Sequence, residues 1–214
     1  MTKFLTLAIA GFAVIAASPA MALTQTVMGS FGQSTTDLTG TTFTVPGFTA
    51  IGTLTNVAIT LTGSGVTNGS VTNTGAQTSN FTITSTVTLA LSGPFTSSPL
   101  SIIFTPIATI NNLASGATAN FGPITGSNSS ASLTGTPLSA FTAGPVTFTA
   151  NTTTANMTTG GGGNNQTTLK TTVGGTVTIA YTYSTPPPAT VPEPASMALL
   201  AIGLSGLGLI RRRV

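Results

Sequence analysis

The side chains that could carry out acid–base or nucleophilic chemistry are few in this sequence of 214 residues. Between residues 23 and 190 the only charged residues are Asp37 and Lys170, and the chain contains no histidine and no cysteine. Asp37 therefore lacks the second carboxylate that glycoside cleavage needs, and no serine can pair with a histidine base. Zinc sites need histidine or cysteine, and calcium sites usually need several carboxylates. The sequence predicts no catalytic residue, no metal site, no cofactor, and a protein that is not an enzyme.

The two charged residues of this central region have simpler interpretations. Asp37 stands beside Leu38 and Gly40, a setting typical of a turn or a solvated residue. Lys170 indicates an isolated surface charge rather than the base of a Ser-Lys dyad. The glycine run 160–163 lacks the Lys-Ser/Thr pair of a nucleotide-binding loop, so we predict a flexible loop there rather than a phosphate site.

The formal net charge of +3 and the pI near 10.0 arise at the two ends of the chain. Lys3 lies near the N-terminus, whereas Glu193 and the three arginines at 211–213 lie close to the C-terminus. The region between them has one acid and one base and is neutral. Because it has no basic patch to neutralise phosphates, we predict no nucleic-acid partner.

Alternation of apolar residues with threonine predicts that the central region is built from β-strands. In residues 81–91 the apolar residues share the odd positions, while threonines occupy most of the even ones. Residues 57–61 and 176–183 alternate in the same way, and the apolar side of the second includes Tyr181 and Tyr183. Such segments are typical of strands with one buried face and one solvent-exposed face. Weaker strand candidates are residues 24–31, 42–45, 66–72, 100–104, 117–121 and 146–150.

Turn-forming residues separate these candidate strands, and no amphipathic helix of ten or more residues is evident. Many short strands with one-sided hydrophobicity predict an all-β fold, a Thr-rich antiparallel β-sandwich of the jelly-roll or Ig-like kind. A closed barrel is the alternative, and it stays open. The predicted turn clusters are Gly63-Ser64-Gly65, Asn68-Gly69, Gly93-Pro94 and Gly126-Ser127-Asn128.

The N-terminus has the pattern of a secretory signal peptide over residues 1–22. Lys3 precedes an apolar stretch that is too short for an ordinary membrane-spanning helix. The small residues Ala20 and Ala22 then mark a cleavage point. We expect the mature chain to begin at Leu23.

A proline-rich spacer and a hydrophobic tail follow the strands. The prolines of the spacer 186–190 predict that the sheet ends near Tyr183 and that the β-sandwich domain spans 23–185. Residues 195–210 are apolar and uncharged, about 24 Å long as a helix at ~1.5 Å per residue. That length is short for a membrane core of roughly 30 Å, so we predict a transmembrane helix that would make a poor permanent anchor. The cluster of Arg211, Arg212 and Arg213 would stop it on the cytoplasmic side.

The whole C-terminal segment 191–214 resembles the PEP-CTERM sorting signal. Val191, Pro192, Glu193 and Pro194 form its Pro-Glu-Pro motif, followed by the hydrophobic segment and the terminal arginines. The resemblance implies export by a Gram-negative bacterium that makes exopolysaccharide, with a transient intermediate in the inner membrane. The implied partner is an exosortase-type membrane enzyme that processes the tail. The implied destination is the cell surface or the extracellular matrix.

Two segments of the central region are similar to the choice-of-anchor E domain. They are residues 48–61, FTAIGTLTNVAITL, and residues 174–183, GGTVTIAYTY. Members of that family are exported domains attached to various sorting tails, without an assigned activity. The resemblance implies an exported domain and supplies no catalytic residues.

Together these patterns predict a non-enzymatic surface or matrix protein associated with biofilm exopolysaccharide. Self-association through exposed strand edges is one expected contact. The alternative function is a carbohydrate-binding module with Tyr181, Tyr183 or a phenylalanine as its stacking face, although the parity of both tyrosines favours core packing. Sugars attached to threonines or to Asn-X-Ser/Thr triplets would hydrate the surface. These triplets begin at Asn68, Asn80, Asn128, Asn151, Asn156 and Asn165.

Overall fold

A computed structural model describes residues 21–95, 99–186 and 200–204 of the chain. The chain forms two compact units. The first is Ala22–Thr185, which contains the β-strands, and the second combines Met1–Met21 with Pro186–Val214.

The second unit contributes a helical segment at 200–204, inside the predicted sorting helix 195–210. No helix within the described ranges is long and apolar enough to cross a membrane. The predicted signal peptide up to Ala20, the sorting motif 191–194 and the arginines 211–213 lie outside the described residues.

The described part of the first unit contains nine strands and two short 3-10 turns. Strands dominate because valine, isoleucine and threonine are β-branched and fit a pleated surface. The 3-10 turns are Leu138–Phe141 and Gly161–Gly163. The strands are β1 (Ala22–Thr35), β2 (Thr41–Val45), β3 (Thr53–Asn73), β4 (Ser79–Ser92), β5 (Leu100–Phe104), β6 (Ile107–Leu113), β7 (Thr118–Ser129), β8 (Val146–Gly160) and β9 (Asn165–Ser184).

The strands form two antiparallel sheets. Sheet A has the order β1-β9-β3-β7, and sheet B has the order β2-β8-β4-β5 with β6 also paired to β4. Successive strands pass from one sheet to the other at most connections, so both sheets contribute to the apolar layer between them, which contains two clusters of buried residues. This architecture is consistent with the predicted β-sandwich.

The inner faces of the strands carry the apolar residues that the alternation predicts. In β4 the odd-numbered apolar residues from Phe81 to Leu91 are at most 2% exposed, whereas the intervening threonines are half-buried. Fully burying a side chain of this size stabilises the fold by about 1.5–3 kcal/mol. In sheet A the register places three apolar pairs side by side across β3 and β9. These pairs are Val57 with Tyr181, Ile59 with Ile179, and Leu61 with Val177.

Several strands are longer than the sequence predicts. The candidates 57–61 and 66–72 are parts of the single strand β3, and 176–183 is the end of β9. The candidate 146–150 is the beginning of β8. β6 was not predicted. The candidates 42–45 and 100–104 coincide with β2 and β5 to within one residue, whereas 24–31 and 117–121 cover only part of β1 and β7.

Three of the four predicted turn clusters are wrong. Those at 63–65 and 68–69 lie inside β3, and the one at 126–128 lies inside β7. Only the cluster at 93–94 follows the end of a strand, β4. Local turn preference was therefore overridden by pairing with the neighbouring strands.

The glycines at two of these positions serve close packing between the sheets. A Cβ on Gly63 would lie 2.7 Å from Ile102 Cδ1 and 2.7 Å from Leu89 Cδ2, and one on Gly65 would lie 2.5 Å from Phe104 Cε2. Glycine inside a strand often marks such a close approach. The missing side chains leave room for large residues of sheet B.

The glycine run 160–163 forms the predicted loop. It connects β8 to β9 and has a positive φ at every position, between 60° and 107°. Glycine adopts this conformation without the steric cost that other residues incur. After the loop, β9 runs to Ser184, one residue beyond the predicted end of the sheet.

Gly65→Ala should lower the free energy of unfolding by about 1–3 kcal/mol, because the added methyl group must displace the packed ring of Phe104. Gly32→Ala is the matched control, since nothing lies within 4 Å of its Cβ position, and its effect should stay within about 0.5 kcal/mol. Urea denaturation followed by far-UV circular dichroism measures both. Equal effects of the two changes would contradict the packing role of Gly65.

Candidate functional site

Asp37 has a structural partner at the edge of sheet B. It lies between β1 and β2 with a φ of 67°, and its Oδ1 accepts a hydrogen bond from the backbone N–H of Thr154 at 3.0 Å. Beside it, the N–H of Thr152 donates to the carbonyl of Leu38 at 3.0 Å. β2 pairs only with residues 146–150 of β8. Asp37 is exposed in a bend between two strands, which agrees with the predicted turn or solvated residue, and its carboxylate covers part of the β8 edge that β2 leaves free.

Lys170 lies exposed on β9, where its register partner is Asn68 of β3. This position agrees with the predicted surface charge. Within the described ranges, no three side chains of the His, Cys, Asp and Glu types come together as metal ligands would.

Tyr181 belongs to the core and is not open to a ligand. Its side chain is 0% exposed, and its hydroxyl donates a hydrogen bond to the carbonyl of Pro46 at 3.0 Å. Burial raises the pKa of the Tyr181 phenol to about 12. The ring packs against Phe48 and Phe141, with centroids 5.8 and 6.1 Å away. The core packing that its parity predicts is confirmed.

The other aromatic residues of the described part of the chain are not fully exposed either. Tyr183 is half-buried and its ring lies 5.2 Å from that of Phe48. Every phenylalanine and tyrosine in the described part of the chain is buried or half-buried. Sugar rings stack on exposed aromatic faces, and the described surface offers none that is fully exposed.

Three buried hydroxyls meet between the sheets, and the sequence analysis did not identify them. The Oγ1 atoms of Thr67 and Thr171 lie 3.0 Å apart, and Ser85 Oγ lies 3.2 Å from Thr171 Oγ1. The three side chains are 1–4% exposed and come from β3, β9 and β4. The available indication was parity, since Ser85 shares the odd positions of β4 with the apolar residues. No base lies in this group to activate a hydroxyl, so it serves as a hydrogen-bonded link between the sheets.

A shallow hollow of about 280 Å³ lies where β1, β9 and β3 run side by side. Ser30, Thr176 and Thr62 form one row across these three strands, and Ser64 and Gln33 complete the polar lining. Phe31 and the glycines at 32, 63, 174 and 175 form the rest of the lining. No lining residue is ionisable, so the hollow offers hydrogen bonds and no charge.

The two terminal segments leave the first unit at the same end of sheet A. Ala22, at the start of β1, pairs with Ser184, at the end of β9. Ala22 and Leu23, which flank the predicted cleavage point, are both exposed. The chain therefore enters and leaves the body on neighbouring strands.

A known motif follows the last strand. Residues 190–213 match the PEP-CTERM protein-sorting motif. The motif indicates a substrate of the exosortase system, hence an exported protein with a membrane-anchored intermediate that is processed by a membrane enzyme. The matched range includes positions 191–194 and 211–213, and it does not extend into the β-strands.

No curated protein matches the sequence. Among solved structures, those of infectious bursal disease virus strains Gt and Gx are 18% and 16% identical, with TM-scores of 0.14 and 0.15. They match 89% and 90% of this chain and 50% and 51% of their own chains. A third, Infectious Bursal Virus derived T=1 particles, is 13% identical with a TM-score of 0.16, covering 86% and 47%. The chain spans about half the length of these proteins. TM-scores this low do not indicate a shared fold or function.

Asp37→Ala should lower the free energy of unfolding by about 1–2 kcal/mol, because alanine is strained at a positive φ. The N–H of Thr154 would also lose its acceptor. Asp37→Asn retains an acceptor oxygen and tolerates the left-handed conformation, so its effect should stay within about 0.5 kcal/mol. Urea denaturation at neutral pH compares the variants. If Asn destabilised the protein as much as Ala, the charge itself would be required.

The buried phenol of Tyr181 should make the protein less stable in alkali. Because the pKa of Tyr181 is raised in the folded protein, the contribution of its neutral phenol to stability is fully present below pH 10, the ordinary tyrosine value. That contribution is lost as the pH rises towards about 12. Tyr181→Phe should remove this part of the loss of stability in alkali. Urea denaturation midpoints of both proteins at a series of pH values would measure the difference. The same alkaline loss in both proteins would contradict the assignment to Tyr181.

Proposed function

We propose that this chain is a non-enzymatic structural protein of the cell surface or extracellular matrix, delivered by an exosortase-type system. The observation that carries the proposal is the sorting motif at 190–213, which follows the last strand of a compact, neutral β-sheet body. The tail then directs export and sorting of the protein, and the body Ala22–Thr185 is the part that acts at the destination.

Export begins with the signal peptide 1–22, and residues 195–210 then insert into the inner membrane as the sorting helix. The arginines 211–213 stay cytoplasmic by the positive-inside rule, which puts the body on the opposite side. The adjacent positions of Ala22 and Ser184 support this arrangement. Since both terminal segments leave one end of sheet A, they can reach the same membrane without passing across the body.

The Pro-Glu-Pro motif is the site that the exosortase recognises. Pro192 and Pro194 favour an extended backbone, which an enzyme can engage without unfolding a helix or strand. Glu193 is the polar feature of the motif, just outside the bilayer. The proline-rich composition of the spacer 186–190 favours a stiff, extended connection between the last strand and this motif.

The body is a choice-of-anchor E-like domain with a structural role in a biofilm or exopolysaccharide matrix. Its residues support this better than catalysis: Asp37 is engaged with a backbone N–H, and Lys170 is a surface charge. Threonine hydroxyls dominate the exposed faces of the strands, and sugars attached to them would hydrate a surface that has almost no charge.

A carbohydrate-binding module is the alternative function. The hollow beside Ser30, Thr62 and Thr176 has hydrogen-bonding groups that suit a sugar. However, Tyr181 is buried and Tyr183 is half-buried against Phe48, so the described surface offers such a module no fully exposed aromatic ring for stacking. The structural role is therefore the better supported of the two.

Glu193→Ala should leave the full-length precursor in the inner membrane, because the change removes the only acid of the tail. Loss of one charged contact of about 1.4 kcal/mol would lower processing about tenfold. Pro187→Ala, in the spacer outside the matched residues, is the control and should be processed normally. Cell fractionation and intact-mass spectrometry, in cells with and without the exosortase, measure both termini of each product.

Two outcomes would count against this proposal at different levels. Equal processing of Glu193→Ala and the parent chain would remove Glu193 from the recognition step. An intact C-terminus in cells that contain the exosortase would contradict the delivery route itself.

A further inference from the structure

β1 has the longest uninterrupted edge among the described strands. It is the outermost strand of sheet A, and from Ala22 to Phe31 it pairs with β9 residue for residue. The first register shift comes only between Phe31 and Ser34. Along this stretch one side of the backbone is bonded to β9. The N–H and C=O groups on the other side point away from the sheet, as at any sheet edge.

The other edges carry features that hinder pairing with a further strand. β7 is interrupted by Pro123 and by a register shift between Thr67 and Gly69 on its partner. The amide of its Asn128 also donates to the carbonyl of Ile103 in sheet B at 2.8 Å. Proline and irregular register are common means of protecting an edge. β7 is therefore a poor site for strand addition.

The edges of sheet B are short or covered. β2 has five residues and is followed by Pro46. β5 and β6 have five and seven residues and are separated by Pro106. On the side of β8 that β2 leaves free, Asp37 and the carbonyl of Leu38 occupy two backbone N–H groups. Only a short end of β8 is left.

β1 has none of these protective features before its register shift. Residues 22–31 contain no charge and no proline. Contacts on the inner side hold the strand in place: Gln25 Nε2 donates to Thr49 Oγ1 at 3.2 Å, and Gly29 lies against Val45 of β2. These contacts lie beneath the strand and leave its outer edge without a neighbouring strand.

We propose that β1 pairs antiparallel with β1 of a second copy of this chain, joining two A sheets into one continuous sheet. An identical strand related by a two-fold axis presents donors and acceptors in matching order. Neither strand has a charged side chain that would repel the other. The exposed outer residues Thr24, Thr26 and Met28 would meet their counterparts on the same face, where threonine pairs and apolar contacts stabilise a sheet. This pairing names a second copy of the chain as the partner in the structural role proposed above. It rests on that proposed function, which places the assembly at the cell surface or in the extracellular matrix.

The absence of cysteine makes the pairing directly testable by disulfide trapping. Thr24, Thr26, Met28 and Ser30 would each be changed to cysteine in turn, with Thr125→Cys and Ser127→Cys on β7 as matched controls at exposed positions of the opposite edge. Opposed residues of an antiparallel pair have Cα separations that a disulfide can span. After mild oxidation of the processed chain, the linked dimer should be most abundant at one β1 position, decline on either side of it, and be absent from the β7 controls.

A second pair of variants tests the same contact without cross-linking. The double change Thr24→Lys and Thr26→Lys should raise the dimer Kd about fivefold or more, because like charges would face each other across the joined strands. Thr125→Lys with Ser127→Lys adds the same charge to β7 and should leave the Kd unchanged. Sedimentation equilibrium gives the Kd, and circular dichroism checks that each variant keeps its strands.

Cross-linking in β1 variants that does not exceed the β7 controls would overturn the proposal, as would an unchanged Kd for the β1 lysine variant. Dimers trapped through β7 would assign the contact to the other edge and would overturn it as well. Delivery is judged separately, by the termini of the purified chain. A processed but monomeric chain would contradict the pairing of β1 and not the proposed export by the exosortase system. A chain that pairs through β1 but is never processed would contradict only the proposed export.

Discussion

The apolar layer between the two sheets is the interaction on which the rest of the structure depends. The chain has no cysteine to form a disulfide, and the β-sheet body has one acid and one base, so burial and backbone pairing must stabilise it. The centre of this layer is the pairing of β3 with β9, which extends from Thr53 opposite Ser184 to Asn73 opposite Asn165. Most alternate residues of β3, and of β9 from Thr171 to Tyr181, are buried in the core, which leaves the intervening residues free to be polar. The hydroxyl-rich surface is a consequence of this period.

Polar groups also enter the layer, and their position divides it. One apolar cluster includes Val87 and Val173, and the other includes Val71 and Ile83. The linked hydroxyls of Thr67, Ser85 and Thr171 lie between these residues along their strands. A buried hydroxyl without a partner would be costly, but in this group each hydroxyl has a partner from another strand. These hydrogen bonds link β3 and β9 of sheet A with β4 of sheet B and can form only in the observed alignment of the three side chains.

The sequence predicts the parts of this fold that depend on local periodicity. Alternation correctly placed Phe81 and Tyr181 in the core, because a strand sends every second side chain to the same face. The turns at 63–65 and 126–128 were wrong because glycine has two uses, in turns and at close approaches, and only the facing residues, such as Phe104, distinguish them. Ser85 was missed for a similar reason, since its partner Thr171 is distant in the sequence. The tail was recognised from its motif, which needs no knowledge of the fold.

The distribution of charge gives a physical reason for separating tail and body. A sorting segment needs charges at fixed places relative to a membrane, and this chain has Glu193 before the apolar stretch and arginines after it. The body has almost no charge with which to keep strand edges apart, so it must use geometry instead. Pro106 and Pro123 interrupt two edges, and the single acid, Asp37, binds a backbone N–H of a third. Because the one acid of the body is used in this way, the β1 edge has no charged side chain to protect it.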